Sequence, residues 1–174
     1  VYDMKAKMFR ERYETDYITK TLDYNYVAKE DVPIEISNDV YKYFQQIQPD
    51  EAQRKFTLAY LAYCITGNTA HTIFKMNIGY SASNGKSTEM AIHNTVFPIY
   101  TKKLDNKTFN MDYTKKHKHI LELLKEPIRL AYMEELGTKK LDIEFTKDFV
   151  DASKIPCEIM FGTDTVRSIQ AKLM

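Results

Sequence analysis

The amino-acid sequence predicts an α/β fold with a largely parallel sheet, preceded by a mainly helical flank. Up to about position 68, apolar residues recur mostly at helical spacing. From position 69 on, short apolar segments alternate with helix-like ones, and a small polar loop at 79–85 separates one such pair. Alternating strands and helices are typical of a parallel sheet covered by helices. We therefore assign 1–68 to the helical flank and 69–174 to the α/β core.

The composition is that of a core-forming chain and excludes several classes of protein. Of the 174 residues, 44% are hydrophobic and 28% are charged, as in ordinary globular domains. The net charge of +1 means that any contact with nucleic acid has to come from a local patch. No apolar run approaches the ~20 residues that span a bilayer, so no membrane contact is expected. The two cysteines, Cys64 and Cys157, are too few for a disulfide framework or a zinc site.

Local signals predict the elements of the helical flank. Residues 1–22 have roughly helical apolar spacing, and 32–36 alternates like a short edge strand around Pro33. A helix over 40–47 is expected to follow, with three candidate caps: Ser37, Asn38 and Asp39. The next helix has Asp50 as its cap and ends at Gly67.

The core is predicted as an alternation of strands and helices. Five segments are strand-like: 72–78, 100–104, 128–133, 155–161 and 166–173. Three segments are helix-like: 86–96, 112–124 and 141–150. The last two strands are expected to join across 162–165.

A candidate phosphate-binding loop lies between the first strand and the first helix of this core. Six consecutive residues form it: Ser83, Asn84, Gly85, Lys86, Ser87 and Thr88. Small residues leave backbone N–H groups free to point at phosphate, and the start of a helix favours an anion. Lys86 would contact the β- and γ-phosphates, where it also serves catalysis, and Ser87 would bind Mg²⁺. This pattern predicts nucleoside triphosphate binding.

The loop departs from the full phosphate-loop pattern in one position. The pattern has a glycine five positions before Gly85, where this chain has Tyr80, and the nearest glycine is Gly79. An ordinary glycine turn that starts a helix is the alternative interpretation.

A pair of acids follows the strongly apolar strand at 128–133. Because the carboxyl ends of parallel strands meet at one edge of a sheet, Glu134 and Glu135 are expected to face the phosphate loop. We assign Glu134 to the metal and Glu135 to the base that polarises the attacking water. Two solvated acids at a strand end are the alternative.

At these residues the sequence resembles the superfamily 3 helicases, in particular the poxvirus-type primase-helicases of large DNA viruses and their phage and plasmid relatives. Three features carry the resemblance: the run 84–88, the Glu134–Glu135 pair, and the segment 147–153 with the strand after it. The resemblance extends over about 50–174. It implies a P-loop NTPase core of the AAA+-like type, with the flank as a collar before it.

The resemblance also implies a function. It would make the chain part of an ATP-driven DNA helicase or translocase that uses ATP and Mg²⁺ in viral DNA replication. The expected partners are single-stranded or forked DNA and further copies of the chain in a homo-hexamer, with a primase domain in the same parent protein. Lys154 and Arg167 are the candidate DNA contacts. The implied location is the viral replication site in the host cytoplasm.

Several features differ from the family pattern. Val150 stands before Asp151 in place of glycine, and the hairpin tip at 162–165 has no basic residue. A sensor residue and an arginine finger are not identified, and the chain opens on Val1, so we interpret it as a fragment that hydrolyses ATP poorly by itself. Two alternatives stay open: another P-loop ATPase, such as a DNA-packaging or kinase-like enzyme, and an inactive oligomer scaffold.

Overall fold

The computed structural model describes residues 1–79, 84–114, 116–135, 139–152, 154–157 and 165–174. Within these ranges the protein is a mixed helix and strand structure built around a three-stranded parallel sheet. Among the described residues, no helix combines the length and the apolar character needed to cross a membrane.

The first part of the flank is a small hairpin, and the helix predicted within 1–22 is wrong. Strands β1 (Tyr2–Asp3) and β2 (Met8–Phe9) pair antiparallel. The Asp3 carboxylate accepts hydrogen bonds from the backbone N–H groups of Lys5 and Ala6, which turns the chain back at once. Arg10 then joins Asp3 to Asp16 through its guanidinium. The spacing of apolar residues did not predict the structure here, because most of these side chains remain exposed. An apolar helix face that packs against nothing does not stabilise a helix.

Two helices complete the flank. Helix α1 (Ile34–Ile47) begins directly after Pro33, so both the predicted strand at 32–36 and the predicted caps after it are wrong. A proline without an N–H is compatible with the start of a helix, where that group has no partner within the helix. Helix α2 (Glu51–Thr66) is confirmed at both ends: Asp50 accepts from the Gln53 N–H at 2.8 Å, and Gly67 is left-handed at φ 66°.

The central sheet confirms the predicted parallel arrangement. Its strands are β3 (Thr101–Lys103), β4 (Leu130–Tyr132) and β7 (Lys172–Leu173), in the order β3-β4-β7, with both pairings parallel. The segment 72–78 continues this order through a parallel bridge between Phe74 and Leu173. All four segments therefore run in one direction, and their carboxyl ends meet at one edge.

Among the described residues of the core, three helices connect and cover the sheet: α3 (Lys86–Val96), α4 (Lys116–Lys125) and α5 (Ile143–Val150). Asp142 caps α5 by accepting from the Phe145 N–H, while Leu141 is held in a bridge to Asn110. The core between sheet and helices is built around Phe109, Phe149 and Leu173, which are almost fully buried.

The last predicted strand, 166–173, divides into two. Its first part is β6 (Thr165–Ser168), which pairs antiparallel with β5 (Lys154–Cys157). Its second part is β7, in the parallel sheet. Ile169 and Ala171, between the two, are buried in the core, and their burial redirects the chain from the hairpin into the sheet. The predicted hairpin tip at 162–165 stays a prediction, because 158–164 lies outside the described residues.

Candidate functional site

The chain approaches the predicted phosphate loop along β7. The Lys75 N–H donates to the Leu173 carbonyl at 3.4 Å, and the segment continues to Gly79. Residues 80–83, which include the predicted ligand Ser83, lie outside the described residues. Asn84 and Gly85 then lead into α3, whose first residue is Lys86, as the sequence predicted.

Gly85 adopts a conformation that a residue with a side chain rarely takes. Its φ is +81°, and a Cβ at this position would overlap the Cγ2 of Ile47 at the end of α1. The Tyr43 hydroxyl, one turn earlier in α1, donates to the Gly85 carbonyl at 2.9 Å. Helix α1 thus holds the start of α3 in place by packing and by one hydrogen bond. The motif itself gave no sign of this partner.

Gly79 has a structural role, although it lies one position before the glycine position of the phosphate-loop pattern. A Cβ on Gly79 would overlap the Asn84 side-chain amide and would lie 2.9 Å from the Lys86 Nζ. Asn84 in turn accepts a hydrogen bond from the Lys86 Nζ through its Oδ1 at 2.6 Å. The absence of a side chain at Gly79 therefore allows the two ends of the loop to close over Lys86.

The first acid of the predicted pair lies across a cavity from the loop. Glu134 follows β4 and accepts from the Lys103 Nζ of the neighbouring strand at 2.5 Å. This contact raises the pKa of Lys103. Both side chains are close to half exposed, so water screens the ion pair and it contributes little to stability.

Three of the predicted residues line one small cavity. Its volume is about 180 Å³, and Lys86, Ser87 and Glu134 all form part of its wall. They come from two elements that are distant in sequence, the start of α3 and the end of β4, and the parallel sheet places them at the same edge.

Two of the described predicted residues, Glu135 and Thr88, do not line this cavity. Glu135 is exposed beyond Glu134, and its assignment as the base stays a prediction. Thr88 lies beside Tyr43, whose pKa is raised by burial and by the Glu89 carboxylate, while the Thr88 hydroxyl lowers it. Lys154 and Arg167 occupy the paired strands β5 and β6. Their side chains are outside the described part of the protein, so DNA contact also stays a prediction.

The donor set fits a hard cation held jointly with phosphate. Ser87 offers a hydroxyl and Glu134 a carboxylate, both oxygen ligands of the kind that Mg²⁺ prefers, and Mg²⁺ commonly takes its other ligands from phosphate and water. The described residues contain no cluster of three histidine, cysteine or acidic side chains that would hold a metal without phosphate.

A buried ion pair that the sequence did not predict lies beneath the loop. The Lys75 Nζ donates to Glu89 Oε1 at 2.9 Å, and the side chains are only 6% and 2% exposed. The Asn77 amide donates to the other oxygen, Glu89 Oε2, at 3.3 Å. Glu89 belongs to the first turns of α3, and Lys75 and Asn77 belong to the strand-like segment before the loop. The pair therefore fastens the two arms of the loop to each other.

Comparison with known protein families finds no matching family model, and comparison with curated proteins finds no matching protein.

We expect Tyr43→Phe to lower the free energy of unfolding by about 1 kcal/mol, because it removes one partly buried hydrogen bond to Gly85. Urea unfolding at pH 7 measures the difference. The matched control is Tyr41→Phe on the same helix, since the Tyr41 side chain is largely exposed. Equal losses in the two variants would show that the hydroxyl contact to Gly85 does not hold the loop.

Proposed function

We propose that this protein binds a nucleoside triphosphate with Mg²⁺ and hydrolyses it as part of a DNA helicase or translocase. The observation that carries the nucleotide part is the meeting of Lys86, Ser87 and Glu134 at one cavity. A cation and a hydroxyl at the start of a helix, with a carboxylate after a strand across the cavity, are the groups that a metal-bound triphosphate needs.

Each residue has a distinct role in this proposal. The Lys86 ammonium exchanges its contact with Asn84 for the β- and γ-phosphates, and the backbone N–H groups at the start of α3 bind phosphate oxygens. Ser87 and Glu134 would hold the cation. When bound, Mg²⁺ neutralises phosphate charge. Glu135 accepts a proton from the attacking water.

Glu134 has to leave Lys103 to fulfil its role. Because the ion pair is close to half exposed on both sides, breaking it costs about 0–1 kcal/mol, far less than binding of a triphosphate can supply. The contact is therefore compatible with a metal-binding role for Glu134.

The helicase part of the proposal is supported by the resemblance of the loop and of the acid pair to superfamily 3 helicases. Under this proposal, hydrolysis occurs in a ring of identical subunits around DNA. An inactive scaffold is the competing proposal, favoured by the displaced Gly79 and by the engagement of Glu134 with Lys103.

Hydrolysis assays on the longest soluble protein that contains this chain test the proposal. We expect single-stranded DNA to raise ATP turnover, and we expect Glu135→Gln to reduce turnover by roughly 100-fold or more while ATP still binds. Glu144→Gln, on α5, is the matched control and should behave as the wild type. ATP binding and hydrolysis that DNA does not change would favour another P-loop ATPase. Failure of the wild type to bind ATP would favour the scaffold.

A further inference from the structure

A second and larger cavity adjoins the loop on the side of the flank. It has a volume of about 650 Å³ and lies between the junction of α1 with α2 and the segment 75–79. We call it the flank cavity. Its wall includes Gln48 at the end of α1, Phe56 on α2 and Lys86 at the start of α3.

The two cavities meet at Lys86, which lines both, as does the segment 75–78. A triphosphate bound at Lys86 can therefore direct the rest of its molecule into only one of them. The smaller cavity is lined by Ser87 and Glu134 and has a volume of about 180 Å³. This volume is below the ~300–1,000 Å³ range of ligand pockets. The flank cavity lies within that range, so it has room for a nucleoside.

Its wall offers an aromatic surface to a base. Phe56 projects from α2, lines the flank cavity and is 51% exposed. Its ring lies 6.2 Å from that of the buried Tyr60, at an interplanar angle of 27°. A ring that has an aromatic neighbour and keeps half of its surface exposed toward a cavity suits a base that stacks on it.

Gln48 adds an unsatisfied polar atom at the same wall. Its side-chain Oε1 is buried and finds no hydrogen-bond donor within the described ranges. A buried acceptor without a donor is costly to the protein. A ligand that carries an amino group would supply the donor, and the soft terminal torsion of glutamine lets the oxygen turn toward it.

We propose that the flank cavity holds the nucleoside end of the triphosphate, with an amino-bearing purine stacked on Phe56 and its amino group donating to Gln48. This inference rests on the proposed function, because Lys86 fixes the position of the phosphates. It makes the α1–α2 junction the part of the protein that selects the base, with adenine preferred over a purine whose corresponding edge carries an oxygen.

Equilibrium titrations with three ligands and four proteins test this assignment. The ligands are ATP, inosine triphosphate, which lacks the amino group, and inorganic tripolyphosphate, which lacks the nucleoside. The proteins are the wild type, Phe56→Ala, Gln48→Ala and the control Leu58→Ala, an exposed position on the same helix. Circular dichroism and urea unfolding confirm that each variant is folded.

We expect Phe56→Ala to weaken ATP binding roughly 5- to 150-fold and to leave tripolyphosphate binding unchanged. The wild type should prefer ATP to inosine triphosphate by roughly 5-fold or more, and Gln48→Ala should lose that preference. Unchanged ATP affinity in Phe56→Ala, or an equal loss for tripolyphosphate, would overturn the assignment of the cavity. If the wild type binds tripolyphosphate and ATP equally well, the assignment of the flank cavity to the nucleoside is overturned, while the proposed phosphate site at Lys86 still stands. If the wild type binds none of the three ligands, the proposed function fails as well.

Discussion

Replacement of Lys86 by alanine is expected to weaken ATP binding by roughly 10- to 150-fold and to abolish measurable hydrolysis. A hydrogen bond to a charged group contributes about 1.5–3 kcal/mol, and the Lys86 ammonium is the cation placed at the start of α3. Its present partner is the neutral Asn84 oxygen at 2.6 Å, which it can exchange for phosphate at little cost. Calorimetric titration with ATP and Mg²⁺ measures the affinity, and phosphate release measures hydrolysis.

The control for this variant is Lys55→Ala, which removes an equally charged residue from the exposed face of α2. Lys55 pairs with Glu51 among the residues that the structure describes, and both side chains are more than half exposed, so we expect no change in affinity. ATP binding by Lys86→Ala with wild-type affinity would contradict the assignment of the loop as a phosphate site.

The second large effect is expected at the buried ion pair. Glu89→Ala should lower the free energy of unfolding by about 3–5 kcal/mol, because it leaves the Lys75 ammonium buried without its counter-ion. The variant also removes the acceptor of the Asn77 amide. Urea unfolding followed by circular dichroism measures this loss.

Two further variants separate the charge from the packing. Replacing both partners, as Lys75→Met with Glu89→Met, should restore most of the stability, since apolar pairs of similar volume often replace buried ion pairs without loss. Glu51→Ala, at an exposed position, should change the free energy of unfolding by less than about 0.5 kcal/mol. If the free energy of unfolding of Glu89→Ala lies within about 1 kcal/mol of the wild-type value in the same assay, the ion pair does not fasten the loop.

Elements whose signals are local were predicted well. Helix α2 has a capping side chain at Asp50 and a left-handed glycine at Gly67, and both act on the backbone within a few residues. Helix α3 begins at Lys86 for the same kind of reason, since Gly85 precedes it in the left-handed conformation. Strand β4 was predicted from the apolar segment 128–133, and the predicted strand at 100–104 contains β3.

Elements that depend on distant contacts were predicted poorly. The first 22 residues show helical spacing, but Asp3 and Arg10 organise them into a turn through side-chain contacts that periodicity does not report. The split of 166–173 follows from the burial of Ile169, which only the packed core determines. Segment 32–36 looked like a strand because alternation over five residues is too short to distinguish the two periods.

The candidate site follows the same division. The motif located Lys86 and Ser87, and the rule that parallel strands end at one edge brought Glu134 to them. The supporting groups were missed, because Tyr43 and Ile47 reach Gly85 from α1 and Lys75 reaches Glu89 across the loop. No local pattern connects these residues.

The most direct test of the central claim is a calorimetric comparison of ATP and AMP binding to the wild-type chain in the presence of Mg²⁺. We expect saturable binding of one ATP per chain, with AMP at least roughly 10-fold weaker, because the β- and γ-phosphates make the charged contacts with Lys86. Equal affinity for the two ligands, or no saturable binding of ATP, would contradict a triphosphate site at this loop.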